Sequence, residues 1–207
     1  MKPHAGSRAI RHAIRHAGRR RAGMALPLVR SAVLTAVLTA ATAASAQQPG
    51  KPAPVARMSA EECKVWAREL SFAQSVADHD AVAFASHLEA QAAFGASGPE
   101  PTRGRDLIAQ RWAGIIDGKR VKLAWYPTRT TVGGVGDIAW SSGPSLFEDP
   151  DPKAEHRYRI GAFHSVWHRG ADGVWRVLFD DGVEPRPVGE AEAIAFREGR
   201  RSTCPQG

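Results

Sequence analysis

The sequence predicts an α+β domain, and three observations carry that expectation. Apolar residues recur at helical spacing between Cys63 and Ala77. After Asp117-Gly118 the pattern changes to β-branched and aromatic runs. The turns between those runs are too short for the crossovers that parallel strands need, so consecutive strands pair antiparallel.

Ser59-Ala60-Glu61-Glu62 fits a capping box, in which the serine hydroxyl satisfies a free helix N–H and the glutamate reaches back. Cys63, Trp66, Leu70, Ala73 and Ala77 then share one helical face. Asp78-His79-Asp80 breaks that pattern, and Asp80 caps a second short helix running through His87. Ala92-Ala93-Phe94 reads as a brief strand before a Gly/Pro-rich loop from Gly95 to Gly104. A third helix from about Arg105 sets Ile108, Trp112, Ile115 and Ile116 on one face and stops at Asp117-Gly118, where glycine suits the left-handed C-terminal position.

Four strands are expected next, over Val121–Thr131, Asp137–Phe147, His156–Arg169 and Val174–Asp180. The turns between them are Gly133-Gly134-Val135-Gly136, the acidic Glu148–Pro152 and Ala171-Asp172-Gly173. A tail over residues 184–207 carries one short helix, Gly189–Glu198, and a basic end at Arg200-Arg201. Residues 59–183 are thus the domain, and the proline-containing residues 47–58 are its linker.

The 207 residues include 28 Lys and Arg against 21 Asp and Glu, a formal charge of +7. That excess is local. Eight basic residues and no acidic ones precede Gln47, leaving 20 basic against 21 acidic in the remainder. The basis for a nucleic-acid partner therefore disappears once the leader is set aside. The length fits one domain with a tail, and 43% apolar residues exclude a wholly disordered chain.

Residues 1–46 read as a leader. From Met24, Arg30 is followed by an apolar stretch, Ser31–Ala41, and by Ala44-Ser45-Ala46, the small-residue pattern that signal peptidase accepts. Two readings of residues 1–23 stand: they lie upstream of a start at Met24, or they form a long leading region. Arg19-Arg20-Arg21 offers a twin-arginine route, although the bulky pair that normally follows is missing. The apolar stretch is too short and too rich in Ala and Thr for a stable membrane span. The expected destination is the periplasm or the medium, after cleavage near Ala46.

An oxidising compartment permits a disulfide between Cys63 and Cys204. Closing a loop of about 140 residues stabilises by about 5 kcal/mol in the chain-entropy model. The alternative is a Cys63 buried on its helix and a Cys204 idle in the tail. Two cysteines supply no metal-ligand spacing.

The element order, together with Leu123-Ala124-Trp125-Tyr126-Pro127, Gly136-Asp137-Ile138-Ala139-Trp140-Ser141-Ser142-Gly143, Gly161-Ala162-Phe163-His164-Ser165-Val166-Trp167 and Asp172-Gly173-Val174-Trp175-Arg176-Val177, resembles the nuclear transport factor 2-like, or SnoaL-like, superfamily. The similarity is to its bacterial exported branch of unknown function and spans Ser59 to about Gly182. It implies a curved antiparallel sheet packed against the N-terminal helices, forming a cone-shaped pocket. It also implies a homodimer through the outer sheet face. Members include ketosteroid isomerases and polyketide cyclases alongside proteins that only bind or assemble, so fold does not select function. In the isomerases a catalytic carboxylate follows the small strand after the second helix. Here Phe94-Gly95-Ala96-Ser97-Gly98 carries none.

Acid/base chemistry in such a pocket needs a group of shifted pKa beside apolar walls. His164 and Asp180, on adjacent expected strands, are the catalytic candidates. Alternation sets His164 with Val166 and His168 on one face and Phe163, Ser165 and Trp167 on the other; which face is concave stays open. Trp66, His87, Trp112, Trp125, Trp140, Phe163 and Trp167 are the candidate lining, with most tryptophans expected in the core. His164 and His168 are too far apart along a strand to share a metal, and Gly134-x-Gly136 leads into a strand, not a helix. No motif calls for a cofactor. Two functions remain: a pocket domain for a small, largely apolar ligand, or an association module whose cone is filled by its own side chains.

Overall fold

A computed structural model describes residues 57–205 of the chain. The leader expected over residues 1–46 and most of the linker lie outside the described residues.

The first helix, α1 (Ala60–Ala77), starts at the expected capping box: Ser59 Oγ accepts from the Glu62 N–H at 3.2 Å, and Glu62 Oε2 accepts from the Ser59 N–H at 2.7 Å. Asp80 Oδ1 accepts from the N–H groups of Val82 and Ala83 and so opens α2 (Ala81–Ser86). The small strand β1 (Leu88–Phe94) begins earlier than the sequence suggests. A two-residue β2 (Thr102–Arg103) precedes α3 (Arg105–Ile116).

The expected strand Val121–Thr131 is two strands, β3 (Lys122–Trp125) and β4 (Arg129–Gly133). Both pair with β5 (Ile138–Glu148), with Trp125 opposite Ser145 and Arg129 opposite Ser142. Pro127 has no N–H for a ladder. The chain instead steps across Gly143, where any Cβ would collide with the Tyr126 carbonyl and the Phe163 ring. β6 (Tyr158–Arg169) and β7 (Trp175–Val188) complete the antiparallel meander, and β7 runs past Asp180 to Val188. One pairing departs from the antiparallel expectation: β1 lies parallel to β7. The sheet order is β2-β1-β7-β6-β5-β3, with β4 also on β5, curled into a half-barrel around α1 and α3. The fold class is therefore the expected one.

The core lies between α1, α3 and the concave sheet face, around Phe72, Phe84, Ile108, Trp125, Trp167 and Val177. A second cluster gathers Tyr126, Leu146 and Tyr158 under Ala193 and Phe196 of α4 (Glu190–Glu198). A disulfide joins Cys63 to Cys204, 141 positions apart, and ties the segment after α4 to the start of α1. Among the described residues no helix is long and apolar enough to cross a membrane.

The buried stripe of α1 differs from the expected one. Val65, Glu69, Phe72 and Val76 form its centre, with Trp66 and Ala73 alongside, while Ala77 is exposed. Glu69 is 0% exposed. Its Oε1 accepts from Trp125 Nε1 of β3 at 2.7 Å and its Oε2 from Trp167 Nε1 of β6 at 2.8 Å, so one carboxyl fastens the helix to two strands.

Glu69→Leu keeps the volume but orphans two buried donors, each costing about 1–3 kcal/mol. Thermal unfolding should show Tm lowered by roughly 6–12 °C for a combined loss of about 3 kcal/mol. An unchanged Tm would mean that the indoles find other acceptors.

Candidate functional site

A cavity of about 290 Å³ opens between α1, α3 and the concave sheet face. Its apolar wall includes Phe72, Phe94, Trp112, Leu123, Trp125 and Phe163. Strand alternation places these groups together, because Phe163, Ser165 and Trp167 are buried on one face of β6. The concave face is thereby assigned.

One polar rung crosses that face. Ser141 of β5 pairs with Ser165 of β6, which pairs with Asp180 of β7. Both serines are 0% exposed. Ser165 Oγ donates to Asp180 Oδ2 at 2.8 Å. Ser141 Oγ faces the Glu69 carboxyl but makes no hydrogen bond of normal geometry. Glu69, Ser165 and Asp180 therefore form a polar line through an apolar core, ending at the cavity wall, where Asp180 is a lining residue.

Burial pushes the Asp180 carboxyl well above the ordinary carboxylate range; the Ser165 hydroxyl opposes that shift, while Glu69 and Asp181 add like-charge repulsion. Glu69 is also raised, again by burial, against the indole and hydroxyl donors around it. Asp181 goes the other way. It accepts from the N–H of Ser97 at 2.6 Å and of Gly182 at 2.8 Å, which favour its ionised form and lower its pKa. The loop after β1, which carries no acid before Glu100, is thus met by acids of β7, with Asp180 paired to Phe94.

The candidates read from the sequence separate. His164 lies on the outer face of β6, opposite Asp181, and stacks on Trp140 at 5.2 Å between ring centroids. The structure does not bring it to the Asp180 carboxyl. Trp140 itself is 46% exposed on the same outer face. Trp112, Trp125 and Phe163 line the cavity. Trp167 is fully buried and serves Glu69, and Trp66 borders a separate groove beside the disulfide. His87 is buried at the end of α2: its Nδ1 bonds the Ala83 carbonyl at 2.7 Å and its Nε2 meets Ser71 Oγ at 2.8 Å. Burial lowers its pKa to about 4, so it stays neutral.

Hydrophobic periodicity missed Glu69, Ser165 and Asp181. A signal existed for the first: several tryptophans in a core need acceptors for their N–H groups, and Glu69 lies four residues after Val65 and three before Phe72.

The raised pKa of Asp180 has a definite sign in stability. Its contribution is fully present below the unfolded pKa, near 4, and is lost as pH rises through the folded value. Asp180→Asn removes that dependence. The Tm difference, variant minus wild type, should therefore grow more positive from pH 4 to pH 8; a difference that falls over that range would refute the buried, proton-holding carboxyl.

No family model and no curated protein matches the sequence. Solved structures do match the fold. A nuclear transport factor 2-like protein of unknown function from Pseudomonas putida KT2440 aligns with 15% identity and a TM-score of 0.52, over 65% of this chain and 98% of that one. A ketosteroid isomerase-like protein from Erwinia carotovora atroseptica SCRI1043 aligns with 12% identity and a TM-score of 0.50, over 60% and 96%. With the curled sheet, the helices on its concave side and the element order all in agreement, the chain has the nuclear transport factor 2-like fold.

Proposed function

We propose that this chain is an extracytoplasmic pocket domain that binds a small, largely apolar molecule and sets one polar group of that molecule against Asp180. The observation that carries this reading is the cavity of about 290 Å³, walled by aromatic rings and carrying a carboxyl whose pKa burial raises. That volume lies at the lower end of the range of small-molecule pockets, roughly 300–1,000 Å³. A cone filled by its own side chains would leave no such space, so the cavity favours binding over pure association. The disulfide supports a site of action outside the cytoplasm.

Asp180 is the group placed for acid/base chemistry. Ser165 fixes one of its oxygens, and the other has no protein partner among the described residues. His164 belongs to a different surface. Native mass spectrometry of protein purified without denaturation should show a co-purifying small molecule. Any turnover of that molecule should fall at least about 100-fold in Asp180→Asn, the scale of a lost general acid or base. Turnover at the wild-type rate in that variant would remove Asp180 from the chemistry.

The outer sheet face supports a second reading alongside the first. Trp140, Val166 and Phe179 form one register row across β5, β6 and β7, with Trp140 46% and Phe179 41% exposed. We propose that a second copy covers this row as a homodimer. Analytical ultracentrifugation should find a dimer that Trp140→Lys converts to monomer; a wild-type monomer at tens of micromolar would overturn it.

A further inference from the structure

The cavity is one-sided in charge. Asp180, Asp181 and Glu184 line it, and among its described lining residues there is no Lys, Arg or His. Arg159, whose guanidinium lies 5.7 Å from the centroid of Phe147, does not line the cavity. We propose that the molecule this cavity takes is an organic monocation, an amine or quaternary ammonium carried on an apolar body; the inference rests on the pocket-binding reading above and names its ligand class.

The aromatic wall suits a cation. Phe72 meets Trp125 at 5.3 Å and 78°, Trp112 meets Trp125 at 6.3 Å and 73°, and Phe94 meets Trp112 at 5.5 Å and 81°. Successive rings stand nearly perpendicular. They form a bent aromatic surface, not a flat stack, with π faces turned in several directions. A ring face carries negative quadrupole potential, and attraction for an ammonium strengthens where water is excluded.

The acids select the sign. An anionic ligand would meet the Asp180 carboxyl on the concave face, with no counter-cation in the wall. A neutral apolar ligand would fill the space but leave the acidic side unanswered. A cation answers it, because the titratable groups acting on Asp180, Glu69 of α1 and Asp181 of β7, are acids and no base stands beside it in the wall. His164, which acts on Asp181, stacks on Trp140 of the outer face and does not line the cavity. When a neutral amine enters, the Asp180 O–H bond breaks and an N–H bond forms, leaving an ammonium–carboxylate pair. When a quaternary ammonium enters, that proton leaves to solvent.

The test uses two probes of the same shape, benzyltrimethylammonium and neopentylbenzene, which differ in a quaternary nitrogen against a quaternary carbon. Ligand-observed NMR titration of the wild-type chain should show the cation bound at least about tenfold more tightly than the hydrocarbon, within the range expected of cation–π and charge contacts together. Asp180→Asn should lose most of that preference while its affinity for neopentylbenzene stays within about twofold. If the wild type binds the hydrocarbon as tightly as the cation, or more so, the cation inference is overturned and the pocket reading survives. If neither probe binds, both are overturned. A cation preference undiminished in Asp180→Asn overturns the assignment to that carboxyl.

Discussion

The structure depends on one buried carboxyl accepting from two indoles. Trp125 on β3 and Trp167 on β6 bring N–H donors into the space between helix and sheet, where water cannot reach them. A buried donor without an acceptor costs about as much as several methylene groups of burial gain. Glu69 removes that penalty twice and accepts desolvation of its own carboxyl in exchange. Non-directional packing would let α1 slide along the sheet; two bonds of 2.7 and 2.8 Å to different strands do not. Since Trp125 is also cavity wall, the position of α1 and the shape of the cavity are fixed together.

From Glu69 the polar line passes Ser165 and ends at Asp180. Burial favours the neutral form of both carboxyls, and Glu69 adds like-charge repulsion that raises Asp180 further. Asp181, one residue along, is kept ionised by backbone donors at the strand's open side. Neighbouring acids are therefore shifted in opposite directions, because one is buried against the Ser165 hydroxyl inside the cone while the other accepts from a loop's N–H groups. The difference comes from strand alternation: Asp180 pairs with Ser165 on the concave side, and Asp181 with His164.

How much of this was legible in the sequence follows the range of the interaction. The capping box at Ser59, the Asp80 cap and the glycine stop at Gly118 were readable because each is settled within a few residues. The break between β3 and β4 was not. Pro127 is visible, but its consequence depends on Gly143 lying opposite, across a pairing that no local pattern reveals. Glu69 was hidden for a related reason: periodicity counts apolar residues, and a charged residue on the buried stripe counts as solvent-facing until its partners, 56 and 98 positions away, are in place. Choosing between His164 and Asp180 required knowing which parity of β6 faced inward. Phe163, Ser165 and Trp167 proved to be the inner set, carrying Asp180 with them.

The curvature of the sheet is also braced from outside the cavity. Gly143 lets the Tyr126 segment press against β5, and α4 lays Ala193 and Phe196 over Tyr126, Leu146 and Tyr158 on the far side of that bend. The Phe196 and Tyr126 rings meet at 4.8 Å, and the Cys63–Cys204 bond holds the chain beyond α4 against α1. That bracing adds to the core packed into the concavity around Phe72, Trp125 and Trp167. Residues lining the β6 and β7 side of the cavity can then be small, as Ala162 and Gly182 are, without collapse. The helix α4 and the segment after it thus brace the wall of the cavity without lining it.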